Sequence, residues 1–166
     1  MTEAAVSPAL ARAARAAAAA ATLPRSDVSP AWDTLAACPD WALDAPGSRA
    51  TLRRLGALWH AGALQRCIDG RQLQAAQDGL GATLLQALLD TDPPGPGAAA
   101  LPACEALDQV FAECGHALAL AALPDAALRA ALAPAEPGAL DRLPLQVAAA
   151  WAEAAERLPP AQETPR

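Results

Sequence analysis

Tyrosine is absent from this chain, phenylalanine occurs once, and isoleucine occurs once, at Ile68. Strands are built from β-branched and aromatic side chains, so this scarcity removes the material of a sheet. Lysine is absent as well, and the net charge is −6. Binding to a phosphate backbone draws its affinity from neutralising many phosphates, and an anionic membrane surface selects a polybasic helix. Neither nucleic acid nor direct membrane insertion is expected. No apolar run reaches the roughly 18 residues of a membrane span; the longest cover 79–89 and 114–124. Glu3 and the low leucine density of the first 24 residues argue against a signal peptide, so a cytoplasmic protein is expected. There is no GxSxG, no Walker-type loop and no GxGxxG. Gly79-Leu80-Gly81 follows a helical pattern and not a strand, so it does not read as a phosphate cradle.

What the chain has is alanine, about 30% of its residues against a far lower average, together with leucine. These are the strongest helix formers. Hydrophobic residues make up 54% and charged ones 18%, a globular balance. The expected fold is all-α, a compact single-domain array of about six to eight short helices. An Ala/Arg-rich arm occupies 1–24, the helical domain 25–158 and a polar tail 159–166.

Proline and glycine punctuate the array. Ser29-Pro30 opens a short helix carrying Trp32 and Leu35, and Trp41 and Leu43 follow before the turn at Pro46-Gly47. Ser48 caps a helix in which Leu52, Leu55, Leu58, Trp59 and Gly62 form one apolar stripe. Gly56 and Gly62 weaken it, a bend falls near His60-Ala61-Gly62, and the continuation runs through Leu64 and Ile68 to Asp69-Gly70. Asp69 caps the next helix, with Gln72 completing an Asp-x-x-Gln capping box, and Leu73 and Ala76 face inward. Gly79-Leu80-Gly81 breaks the period before a helix of Leu84, Leu85, Leu88 and Leu89. Residues 90–101 form the clear loop. Pro102 opens the longest helix, with Leu107, Val110, Phe111, Cys114, Leu118 and Ala121 on one face. Pro124 begins a short helix with Leu128 and Leu132. Pro134 to Gly138 form a second turn, and Pro144 starts a last helix with Val147, Trp151, Ala154 and Leu158 inward.

The chemistry-bearing residues are few. Cys38, Cys67, Cys104 and Cys114 include no C-x-x-C pair and are expected as reduced, mostly buried thiols. His60 and His116 do not stand at zinc-module spacing from them. Cys114 and His116, two apart, point to different sides of a helix. Cys67 and His60 share a face only if the helix continues through Gly62, a weak basis for a nucleophile and base. No catalytic residue, metal or cofactor is expected. Trp32, Trp41, Trp59 and Trp151 lie on apolar stripes and read first as core filling gaps between alanines, and second as partner hot spots. Arg49, Arg53 and His60 fall along one stripe opposite the leucines. That stripe reads first as a solvated face, and second as a docking stripe for an acidic partner that relieves the repulsion between the two arginines.

Within residues 54–89, Arg54-Leu55-Gly56, His60-Ala61-Gly62, Arg66-Cys67-Ile68-Asp69-Gly70, Leu73 and Leu80-Gly81 with the leucine-rich helix after it form a recognisable block. The block resembles the YscK/SctK family, the cytoplasmic K component of type III secretion sorting platforms. The helix from Glu105 to Leu120 and the tryptophan-containing segment before Arg49 extend the likeness. The resemblance implies a non-enzymatic adaptor, peripheral to the inner membrane through protein partners. Those partners would be the cytoplasmic domain of the inner-membrane ring protein, the pod or C-ring-like platform protein and the ATPase stator. On this reading Trp59, Asp69, Gly70, Leu73 and Gly81 are structural, and Arg49, Arg53 and His60 bind a partner. The alternative is a stand-alone secretion chaperone or regulatory helical interaction domain.

Overall fold

The computed structural model describes residues 48–133 and 136–161 and, in the rest of the chain, only positions 13, 14, 17 and 33. Most of the expected helix around Trp32, the apolar contact of Trp41 and Leu43, the cysteine at position 38 and most of the 1–24 arm lie outside the described residues. The fold is all-α. Seven α-helices follow in order among the described residues: α1 (Ser48–Trp59), α2 (Ala61–Gln65), α3 (Gly70–Leu80), α4 (Ala82–Asp90), α5 (Leu107–Ala121), α6 (Ala126–Leu132) and α7 (Leu145–Glu156). Short 3₁₀ turns at Cys104–Ala106 and Leu140–Arg142 lead towards α5 and α7.

The α5 helix is central. It packs along α1, and α3, α6 and α7 lie against it. The α1–α5 crossing depends on two glycines. A Cβ on Gly56 would stand 1.8 Å from the Phe111 carbonyl oxygen, and one on Gly115 would stand 1.8 Å from that of Leu52. The two backbones therefore meet where neither carries a side chain. Gly56, expected to weaken its helix, is what allows the helix to dock. Leu58, Leu64, Leu80, Leu84, Leu88, Leu118, Phe111 and Trp151 are the largest fully buried side chains. Each such leucine contributes about 1.5–3 kcal/mol by leaving water.

The punctuation works as local chemistry predicts. His60 interrupts α1 from α2, at the expected bend. The Asp69 carboxylate accepts from the Arg71 backbone N–H at 2.8 Å, so it caps α3. The box does not close: Gln72 Oε1, which would accept from the Asp69 N–H, accepts from the Cys67 thiol at 3.5 Å, while the Gln72 amide N–H donates to the Pro102 carbonyl at 3.2 Å. Gly81 adopts φ 87°, in the left-handed half that favours glycine, and turns the chain from α3 into α4. The Gln65 amide donates to the carbonyls of Leu88 and Thr91, at 3.1 and 2.7 Å. It thereby satisfies the C-terminal end of α4, which has no intrahelical donor left.

Four expectations are corrected. The α2 helix stops at Gln65 and Ile68 is 99% exposed, so the apolar pattern does not continue to Asp69. Five residues of helix are all the chain forms before the Asp69 cap redirects it. Val147 is exposed at the start of α7, where only Ala148, Trp151 and Ala155 are buried. The α5 helix begins at Leu107, after a 3₁₀ turn, and not at Pro102. Ala161, assigned to the polar tail, is buried in the core beyond Pro159-Pro160.

Candidate functional site

The Arg49, Arg53 and His60 stripe, expected as a solvated face or a docking stripe, is largely turned inward. Arg53 is 3% exposed and His60 is 5% exposed. The partner that relieves the arginine repulsion lies in the same chain. Asp108, in the first turn of α5, has one carboxylate oxygen 2.5 Å from Arg53 Nε and the other 2.9 Å from Arg49 Nη2. Arg53 also donates through Nη2 to the Gly79 carbonyl near the end of α3. One guanidinium thus joins α1, α3 and α5. Of the three stripe residues, only Arg49 keeps an exposed side chain, and it is held by Asp108.

His60 is a packing histidine. Its Nδ1 lies 2.9 Å from the Gly56 carbonyl oxygen, which assigns Nδ1 as the protonated donor. Its ring centroid is 5.2 Å from that of Phe111. Burial pushes its pKa below the ordinary histidine value, and the bond to Gly56 opposes this in part. Trp59 is half-buried with its ring 4.8 Å from the buried Trp151. Its carbonyl accepts from Ala98 N at 2.9 Å, which fastens the 91–103 loop against α1. Gly97 makes that approach possible, since a Cβ there would fall 2.1 Å from the same carbonyl oxygen. Leu73 packs against the core, while Gly70 is exposed in the first turn of α3.

The three described thiols form no disulfide with one another, and they are less buried than expected. Cys104 is exposed, and Cys67 and Cys114 are half-buried. Burial and the neighbouring Glu113 carboxylate push the Cys114 thiol up, which disfavours its thiolate. Cys67 is not paired with His60. Its Sγ lies 3.6 Å from the Asp69 carbonyl and 3.5 Å from Gln72 Oε1. Among the described residues, no three His, Cys, Asp or Glu side chains converge as a metal site. No described helix is long and apolar enough to cross a membrane.

The surface feature that periodicity missed is the turn between α2 and α3. Ala63, Arg66, Cys67, Ile68, Asp69 and Gln72 line an open depression of about 280 Å³, closed on its far side by residues 99–101 of the long loop. Ile68 stands fully exposed on its rim. The signal available in the sequence was the lone isoleucine beside a helix-capping Asp-Gly pair, which reads equally as the end of a buried stripe.

No family model, no curated protein and no solved structure matches the chain.

Proposed function

We propose that this chain is a non-enzymatic cytoplasmic adaptor of a type III protein secretion system. It would link the inner-membrane ring protein to the pod and ATPase-stator components of the sorting platform. The observation that carries the reading is how the 54–89 block is used. Several of its distinctive residues build shape. Asp69 starts a helix, Gly81 turns the chain at φ 87°, and His60 and Gly56 fit against α5. A block in which these residues serve rigidity suits a part that holds two neighbours at a fixed separation.

The test is affinity recovery of the tagged chain from its native cell, with and without the ring component. The reading expects the platform components to be recovered with the chain, and the ring component in the parent cell alone. Recovery of export substrates and no platform component would favour the chaperone reading and overturn this one.

A further inference from the structure

We infer that Ile68 is the anchor of a protein-docking surface, and that its partner presents an apolar pocket rimmed by carboxylates. The inference rests on the adaptor reading for the candidate partners, and on the following geometry for the surface itself.

A single exposed aliphatic side chain is ordinary on a protein surface. Ile68 is set apart by its surroundings. It is 99% exposed at the edge of a depression whose walls are mixed, with Ala63, Ala99, Ala100 and Leu101 on the apolar side and Arg66, Asp69 and Gln72 on the polar side, so the knob adjoins a hollow that offers both kinds of contact. The turn that carries it is held on both sides. Cys67 N–H donates to the Leu64 carbonyl at 3.1 Å, and the Asp69 carboxylate is fixed on the Arg71 N–H. Gln72 bridges the Cys67 thiol to the Pro102 carbonyl. The side chain is β-branched and stiff about χ1. An aliphatic group held out on a rigid turn has little freedom left to lose on binding.

Charge then selects the partner. Arg66 and Arg71 flank Ile68, both exposed, and their guanidinium groups form no ion pair among the described residues. Asp69, between them, spends one oxygen on its cap. Two guanidinium groups against this one carboxylate leave the turn with an excess of positive charge on a chain of net charge −6. Complementarity asks for acidic groups around the pocket that receives the isoleucine.

Two measurements on the full-length chain test this. In the first, purified ring-protein cytoplasmic domain, pod protein and stator are titrated against wild-type, Ile68→Asp and Arg66→Glu/Arg71→Glu proteins. Ile68 is fully exposed, so Ile68→Asp is expected to melt as wild type does while binding at least about tenfold more weakly. The double arginine variant is expected to associate more slowly, chiefly at low salt. Equal binding by Ile68→Asp and wild type overturns the docking surface and leaves the adaptor reading standing. In the second, a photo-crosslinking amino acid is placed at position 68 in the native cell and the adduct is mapped. An adduct at a carboxylate-rimmed apolar pocket, lost with Arg66→Glu/Arg71→Glu, supports the surface even when none of the three components binds, which would sink the adaptor reading alone. No adduct, or an adduct to a second copy of this chain, overturns the surface.

Discussion

At the residue scale, the described part of the molecule turns on Asp108. It holds Arg53 and Arg49 together, and Arg53 in turn reaches the end of α3. Asp108→Ala would leave the buried Arg53 guanidinium with its charge uncompensated. Loss of one member of a fully buried pair costs about 3–5 kcal/mol. Asp108 is 44% exposed, and solvent screening reduces that figure. We expect about 2 kcal/mol by urea denaturation, on the reasoning that partial exposure roughly halves the buried cost. Arg53→Met removes the buried charge itself and is expected to cost less than Asp108→Ala; the reverse order would show that packing of the arginine stem matters more than its charge. His60 adds a pH dependence. The folded state depresses its pKa, so the unfolded chain takes up a proton near pH 6.5 that the folded chain refuses. The stability from burying the neutral ring is complete above about pH 6.5 and falls as the pH drops below it. Thermal melts of wild type are expected to decline between about pH 7 and 5.5, and those of His60→Gln to decline less. Parallel curves would remove His60 as the cause. None of this was legible in the sequence. Arg49 and Asp108 lie 59 positions apart, and the spacing of arginines along one helix cannot say whether their counter-ion comes from a partner or from the same chain.

At the element scale, the sequence was far more informative, because helix boundaries here are set by local chemistry. Asp69 caps α3, Gly81 separates α3 from α4, and Pro144 precedes α7, all within the reach of neighbouring residues. Asp69→Ala is expected to lower stability by about 0.5–2 kcal/mol through the lost cap; an unchanged denaturation midpoint would show that the turn is held by Cys67 and Gln72 alone. What local chemistry does not contain is which neighbour a helix meets. Ile68 and Val147 continue apolar patterns yet face solvent, because α2 ends early and α7 buries the side that carries Ala148, Trp151 and Ala155. Gly56 reads as a weak point until α5 is seen against it. Alanine is worth about 1 kcal/mol more than glycine in an exposed helix, so an unpacked Gly56→Ala would stabilise. With the Phe111 carbonyl 1.8 Å from the new methyl, the helices must separate. We expect Gly56→Ala to destabilise by about 1–3 kcal/mol, the range of an overpacked core. A raised melting temperature would contradict the crossing.

At the scale of the whole molecule, the described helices surround one core in which α5 touches nearly every other element, and the polar residues of that core secure helices to one another. Composition made this all-α class legible from the start. The candidate surface was not, since a lone isoleucine at the end of an apolar pattern carries no sign of which way it points. Among the described residues the exposed large apolar side chains are Ile68, Leu145 and Val147, and Ile68 is the most exposed of them. An adaptor must hold two components at once, which a chaperone bound to cargo need not do. The most direct measurement is therefore size-exclusion chromatography with mass determination of this chain mixed with the ring-protein cytoplasmic domain and the pod protein. The account predicts one species containing all three, which falls apart into its components when this chain is left out. Elution of the ring domain and the pod protein as a complex that excludes this chain, or of all three separately, would contradict it.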